Sequence, residues 1–215
     1  VALARALAPE PDVLLLDEPL SALDAKLRKR LRVQIRAIQR DLGITTVYVT
    51  HDQAEALAIS DRVAVVHDGA IEQVATPETV YRQPASRFVA EFVGDTNVFT
   101  GVVTGDGTAV EVGGAALPVP ADAAIDAGER AALSVRPEAI SVAEPADSGE
   151  RAGLSATVDT VEFLGDAYRL HCEWDGRTVV AKTGAEQPPD GAVTLRFDGE
   201  DTRVFEPEGG ETRNR

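Results

Sequence analysis

The chain has 215 residues and a net charge of −15, and 44% of its residues are hydrophobic. That apolar fraction suffices for a globular core, and no apolar run approaches the ~20 residues of a membrane-spanning helix. Residues 95–215 hold 10 Lys and Arg against 23 Asp and Glu, and so acidic a surface repels nucleic-acid phosphates. A single cysteine, Cys172, excludes an internal disulfide and a cysteine-based zinc site.

The chain begins on an apolar segment, residues 1–7, that has the pattern of a helix interior and no capping residue. It also contains no methionine. We therefore expect a segment of a longer protein. A natural N-terminus exposed by processing is the alternative, and the missing cap disfavours it.

The first half of the chain alternates strand and helix signals, which favours an α/β fold with a parallel sheet. Residues 13–16 are a short apolar run, as in a strand buried on both faces. A helix is predicted over residues 25–42, because apolar residues recur at helical spacing and Gly43 supplies a C-terminal cap. Residues 44–50 are rich in β-branched side chains and predict a second strand, which ends at His51.

Shorter elements follow. A helix is predicted over residues 52–60 and a hairpin around Asp68-Gly69, a dipeptide typical of tight turns. Thr76 has the properties of a helix cap, since proline and glutamate follow it. Residues 86–93 predict one more helix.

After Gly94 the pattern changes to short strand-like pieces separated by turns that contain glycine and aspartate. This rhythm is typical of a small barrel or sandwich. Residues 143–153 predict an exposed loop, and residues 207–215 predict a disordered tail.

Two acids, Asp17 and Glu18, come directly after the first predicted strand. Ligands of open α/β sheets bind at the carboxyl ends of the strands. There one acid can hold Mg²⁺ beside nucleotide phosphates, and the next can orient or deprotonate an attacking water. Taken alone, the two acids fit equally well a strand that leaves the core into a charged loop.

His51 ends the neighbouring predicted strand and can reach the same site, where its ring can donate a hydrogen bond to a terminal phosphate. In isolation, such a histidine is more often a capping or surface residue. The ordered combination of a strand with Asp-Glu-Pro, then Ser-Ala-Leu-Asp, then a strand with Thr-His-Asp is the stronger signal.

Because of this ordered set, residues 1–94 resemble the second half of the nucleotide-binding domain of ABC transporters. The similarity is greatest to importer ATPases that carry a C-terminal TOBE domain. The resemblance implies that Asp17 is a magnesium ligand, Glu18 the catalytic glutamate and His51 a switch histidine. It also implies a D-loop at the interface with a second copy of the subunit, formed by Ser21, Ala22, Leu23 and Asp24.

Residues 95–206 resemble the TOBE portion of these importers, a small OB-like β domain. Residues 92–99 are similar to the junction in the polyamine and iron(III) importer branch, and residues 133–138 match the family's Arg-Pro-Glu step. A structural role for Arg136 and Glu138 is the simpler interpretation of that step. The predicted fold class is a partial P-loop NTPase-type α/β sheet, residues 1–94, followed by an all-β OB-like domain.

Neither the Gly-rich phosphate-binding loop G-x-x-x-x-G-K-[ST] nor a Ser-Gly-Gly signature segment occurs in the sequence. The family places both before the segment that residues 1–94 resemble. We therefore expect the chain by itself to bind ATP poorly and to be inactive.

The resemblance implies the ATP-hydrolysing subunit of an uptake transporter that uses ATP and Mg²⁺, with spermidine/putrescine or iron(III) as the favoured solute. Its implied partners are a second ATPase copy, transmembrane permease subunits and, indirectly, an extracellular solute-binding protein. The implied location is peripheral, on the cytoplasmic face of the cell membrane, without a nucleic-acid partner.

Two alternatives remain. One is a soluble ABC ATPase of DNA repair or translation, which the acidic C-terminal half disfavours. The other is that the C-terminal domain acts as a solute-sensing regulatory module or as a dimerisation surface.

Overall fold

The computed structural model describes residues 2–123, 125–145, 153–184 and 186–207. The chain divides into two compact units, Val1–Gln83 and Pro84–Arg215. Most of the predicted loop at residues 143–153, and the predicted tail after residue 207, lie outside the described residues.

The first unit contains four helices and four strands in its described part. They are α1 (Ala2–Leu7), β1 (Val13–Asp17), α2 (Ala25–Leu42), β2 (Thr45–Val49), α3 (Gln53–Ile59), β3 (Val63–His67), β4 (Ala70–Ala75) and α4 (Pro77–Arg82). Strands β1 and β2 pair in parallel, with Asp17 opposite Val49, so their carboxyl ends lie side by side. Strands β3 and β4 form the hairpin that Asp68-Gly69 predicts, and both turn residues have positive φ.

Helix α2 has the predicted bounds because both of its ends are capped. The Asp24 side chain accepts a hydrogen bond from the Leu27 amide at 3.0 Å. At the other end Gly43 has a left-handed conformation, with φ of 61°, and its N–H bonds the Arg40 carbonyl. Ile35 of this helix is buried in a small core that it shares with β1 residues and with Ile44.

The prediction that β1 is buried on both faces is wrong for this structure. Leu14 and Leu16 are buried, at 6% and 8% exposure, whereas Val13 is 51% and Leu15 73% exposed. Alternate side chains of a strand point to opposite faces of its sheet. Within the described residues the small core covers only the face that carries Leu14 and Leu16.

The second unit is mostly β structure, as the strand rhythm after Gly94 predicts. Its described elements are α5 (Arg87–Phe92), β5 (Asn97–Val103), β6 (Ala109–Val112), β7 (Ala115–Pro118), β8 (Arg130–Val135), β9 (Ser141–Ala143), β10 (Leu154–Phe163), β11 (Tyr168–Trp174), β12 (Arg177–Thr183), β13 (Ala192–Arg196) and β14 (Thr202–Phe205). They form two five-stranded antiparallel sheets, ordered β12-β11-β10-β13-β9 and β14-β8-β5-β6-β7. Both sheets contribute to one core, for example through Leu133 and Leu170.

Helix α5 groups with the second unit, although the sequence assigns residues up to 94 to the first domain. The reason lies at the C-terminal end of the helix, where the Arg136 guanidinium donates to the carbonyls of Ala90, Gly94 and Asp95 at 2.9–3.2 Å. These bonds join the end of α5 to the residue that follows β8. The domain boundary at 94 stays a prediction.

Among the helices in the described part of the chain, none has the length and apolar character needed to cross a bilayer.

Candidate active site

The predicted acids lie where β1 ends. The Glu18 amide donates to the Val49 carbonyl at 2.9 Å, which joins the residue after β1 to the end of β2. Glu18 has φ of 43°, a left-handed conformation that is uncommon for residues other than glycine. Strained conformations of this kind are often found at functional sites.

Glu18 and His51 are in direct contact. His51 Nδ1 lies 3.0 Å from Glu18 Oε1, and the side chains are 72% and 45% exposed respectively. The hydrogen bond to Glu18, followed by the charge of that carboxylate, raises the pKa of His51 above its ordinary value of 6.5. The structure thus brings together two of the residues that the sequence singles out, with both side chains accessible to a ligand.

Asp17 is exposed beside this pair. No described residue forms an ion pair or hydrogen bond with its carboxylate, which leaves hard oxygen ligands of the kind Mg²⁺ prefers. The described residues include no group of three or more His, Cys, Asp or Glu side chains that could hold a metal. A magnesium ion at Asp17 would therefore complete its shell with water and phosphate oxygens, which is its usual mode of binding.

The predicted D-loop follows directly and is tied to Glu18. The hydroxyl and the amide of Ser21 both donate to the Glu18 carbonyl, at 2.9 and 3.2 Å. Leu20 anchors the start of the segment in the core at 2% exposure, and Asp24 ends it as the cap of α2. Ala22, between them, is exposed.

A polar network behind His51 was not predicted from the sequence. Glu55 is only 2% exposed, and its carboxylate accepts hydrogen bonds from the Tyr48 hydroxyl at 2.8 Å and the Thr50 hydroxyl at 3.1 Å. Burial, and then the hydrogen bond to Glu55, raises the pKa of Tyr48 well above its ordinary value. A buried carboxylate is costly unless it is paired and hydrogen-bonded, so this cluster is a specific feature of the fold.

Arg28 and Asp52 complete the network. Arg28 Nη1 donates to Asp52 Oδ2 at 3.1 Å, and Nη2 donates to the Leu23 carbonyl at 3.1 Å. Its Nε is 3.7 Å from Glu55 Oε1, which is a charge contact too long for a hydrogen bond. Burial raises the pKa of Asp52, but hydrogen bonds from the Glu55 amide and from Arg28 outweigh it and leave that pKa below its ordinary value.

The sequence contains only part of the signal for this network. Asp52 followed three residues later by Glu55 has the spacing of a helix capping box, and the Asp52 side chain does accept from the Glu55 amide at 3.1 Å. In a capping box the glutamate would return to the cap amide, whereas the Asp52 amide here donates to the Thr50 hydroxyl. No local pattern indicates Arg28, since its two carboxylate partners, Asp52 and Glu55, follow it by more than twenty residues.

Comparison with known proteins supports the family resemblance. Residues 133–205 match the TOBE domain family. The chain is 43% identical over 198 residues to the sn-glycerol-3-phosphate import ATP-binding protein UgpC of Salmonella choleraesuis, covering 91% of this chain and 54% of the relative. It is 43% identical over 187 residues to the Fe(3+) ions import ATP-binding protein FbpC 1 of Pectobacterium atrosepticum, covering 87% and 51%.

A third relative is the spermidine/putrescine import ATP-binding protein PotA 1 of Pseudomonas aeruginosa, 46% identical over 189 residues, with 85% of this chain and 50% of the relative covered. The chain spans about half the length of these curated relatives. Among solved structures, the cytoplasmic molybdate-binding protein ModG gives a TM-score of 0.42 at 17% identity, over 58% of this chain and 99% of that one, which is too distant to support an argument. The identities to the importer subunits confirm the resemblance: the chain is a homologue of the ATP-binding subunits of ABC importers, with a TOBE domain in its C-terminal region.

Proposed function

We propose that the chain forms part of the ATP-hydrolysing subunit of an ABC importer, with the hydrolytic residues at the carboxyl ends of β1 and β2. The observation that carries the proposal is the 3.0 Å contact between Glu18 and His51, beside the open carboxylate of Asp17. This is the arrangement expected of a P-loop NTPase-type sheet. Relatives named as import ATP-binding proteins support it.

Each side chain has a role that suits its position. Asp17 provides oxygen ligands for Mg²⁺, which when bound neutralises charge on the nucleotide phosphates. Glu18 orients the attacking water and accepts its proton, while the water oxygen bonds to the terminal phosphorus and the bond to the leaving diphosphate oxygen breaks. His51 donates a hydrogen bond to the terminal phosphate, and its contact with Glu18 favours the protonated ring.

In this proposal, hydrogen bonds connect the D-loop to the catalytic glutamate. Both donors of Ser21 bond the Glu18 carbonyl, so a second ATPase copy that displaces the loop from Ser21 to Asp24 also displaces Glu18. The exposure of Ala22 leaves the segment open to such a partner. ATP hydrolysis would thereby depend on dimer contact.

The remaining parts of the proposal concern the whole importer. The partners are a second ATPase copy, permease subunits and, indirectly, a solute-binding protein, at the cytoplasmic face of the membrane. Spermidine/putrescine and iron(III) remain the favoured solutes, although a relative named for glycerol-3-phosphate import is as similar as the one named for iron. Because the sequence has no Gly-rich phosphate-binding loop, the chain alone is proposed to be inactive.

The decisive experiment is Glu18→Gln in the full-length subunit. Turnover should fall by about 10²–10⁴-fold, because the amide cannot accept the proton, while ATP binding persists. Phosphate release gives kcat, and a fluorescent nucleotide gives Kd. Glu10→Gln, in the exposed segment before β1, is the matched control and should retain wild-type turnover. Wild-type turnover in the Glu18 variant would exclude the proposed role.

A further inference from the structure

One side chain connects the two loops that flank the candidate site. Arg28 lies one turn into α2, where its amide bonds the carbonyl of the cap residue Asp24 at 2.9 Å. Helical side chains point back toward the N-terminus of their helix, and Nη2 accordingly reaches the Leu23 carbonyl in the predicted D-loop. The other terminal nitrogen, Nη1, holds Asp52, the residue after His51.

His51 is held on both sides by partners of this network. On one side the Thr50 hydroxyl donates to the buried Glu55 carboxylate at 3.1 Å and accepts from the Asp52 amide at 3.0 Å. On the other side Asp52 accepts from Arg28. The backbone of this turn is therefore fixed, whereas the His51 ring is exposed and contacts Glu18.

The shape of the guanidinium is essential to this link. Its two terminal nitrogens are parts of one rigid plane, so a displacement of the Leu23 carbonyl is passed to Asp52 without a flexible joint. A lysine ammonium at the same place could supply the charge that faces Glu55 at 3.7 Å. It could not serve two acceptors in a fixed geometry.

We propose that Arg28 is a positioning residue that couples the D-loop to the turn carrying His51. The inference rests on the proposed ATPase function for its consequence, but the physical link can be tested without it. Movement of the D-loop by a second copy would reach Glu18 through Ser21 and His51 through Arg28. Both catalytic side chains would then respond to the same contact.

The first measurement is turnover of Arg28→Lys in the full-length subunit. We expect kcat to fall about tenfold or more, with the Kd for ATP and the melting temperature close to wild type, because the charge beside Glu55 remains and the bridge is lost. Arg28→Gln, which also removes the charge, should lower the melting temperature as well. Wild-type kcat in Arg28→Lys would mean that Arg28 only balances the charge of Glu55, and this result would overturn the proposal.

Arg36 provides the matched control on the same helix. It is ion-paired with Asp61, beyond α3, and among the described residues its side chain has no hydrogen bond or ion pair with the D-loop or with the turn at His51. Arg36→Lys should therefore leave kcat unchanged. An equal loss of kcat in both lysine variants would indicate a general effect on α2 packing and would contradict the proposal.

Two further measurements make the test specific. In a double-mutant cycle, Arg28→Lys combined with Asp52→Asn should be no slower than the more impaired single variant, because both changes break one link. Fully additive losses would contradict the proposed link.

Hydrogen exchange at the Asp52 and Glu55 amides should accelerate about tenfold in Arg28→Lys and not in Arg36→Lys. Unchanged exchange would overturn the link itself, whereas loss of the ATPase assignment through Glu18→Gln would leave this exchange result standing.

Discussion

The contact of His51 with Glu18 makes a prediction about protonation. The folded pKa of His51 is raised above 6.5, chiefly by the hydrogen bond to Glu18. The stabilisation from this pair is therefore fully present below pH 6.5 and is lost as the pH rises through the folded pKa. An NMR titration of the ring protons should give a pKa above 6.5 for His51.

Replacing the carboxylate provides the control for this titration. In Glu18→Gln the pKa of His51 should move back toward 6.5, because the amide carries no charge and binds the protonated ring less strongly. An unchanged His51 pKa in this variant would mean that the two side chains do not pair in solution.

At the residue scale the sequence predicts positions better than partnerships. The positions of Asp17, Glu18 and His51 could be predicted because these residues lie at or just after the ends of two strands that local composition identifies. The burial of Glu55 could not be predicted, since no sequence pattern pairs its carboxylate with the Tyr48 and Thr50 hydroxyls, and Arg28 is distant in sequence. The catalytic roles of the predicted residues stay predictions until the kinetic tests are made.

At the scale of elements, capping explains which predictions succeed. Helix α2 was predicted with its observed bounds from its apolar spacing and from Gly43, the local signal for its C-terminal end. Its N-terminal cap, Asp24, is also a local signal, although the prediction did not use it. Thr76 likewise caps the start of α4, as predicted, and its hydroxyl accepts from the Thr79 amide at 3.2 Å. Burial of β1 was predicted wrongly because an apolar run does not tell how many faces of a sheet are covered.

Helix α5 depends on a distant residue for its C-terminal end. Arg136 Nη1 donates to three carbonyls at and after that end, and carbonyls there have no partner within the helix. Arg136→Gln should lower the free energy of unfolding of the second unit by about 1.5–3 kcal/mol, the usual effect of hydrogen bonds from a charged donor. Urea denaturation followed by tryptophan fluorescence measures this change, since Trp174 lies in that unit.

Arg130→Gln is the matched control for this prediction. Arg130 begins β8, is exposed and has no ion pair or hydrogen-bond partner for its side chain among the described residues. Its replacement should change the free energy of unfolding by less than about 0.5 kcal/mol. Equal effects of the two substitutions would show that the bonds to the end of α5 contribute nothing specific.

At the scale of the whole molecule, each unit has its own hydrophobic core. The core of the first unit is small and includes Leu14 and Ile35, with exposed apolar side chains on the other face of its sheet. The core of the second unit draws on both five-stranded sheets and includes fully buried Leu133 and Leu170. Separate cores permit the units to unfold in separate steps.

The second unit also has a polar link between its sheets. Asn97, in β5, donates to the Val180 carbonyl at 2.8 Å and accepts from the Val180 amide at 2.7 Å, so its amide group pairs with β12 as a neighbouring strand would. Phe99, two residues after Asn97 in β5, meets the Trp174 ring of β11 edge to face, with 5.8 Å between the ring centroids. Such bonds between the two sheets specify one arrangement of this core.

Leu170→Ala tests whether the two cores are energetically independent. Leu170 is fully buried in β11, and its truncation should cost the second unit about 2–5 kcal/mol through lost burial and the cavity left behind. Ile35→Ala, in α2, is the matched change in the first unit. In calorimetry each substitution should lower one transition and leave the other in place, because the affected side chain belongs to one core. If both substitutions shift a single common transition, the two cores form one cooperative unit and their independence is refuted.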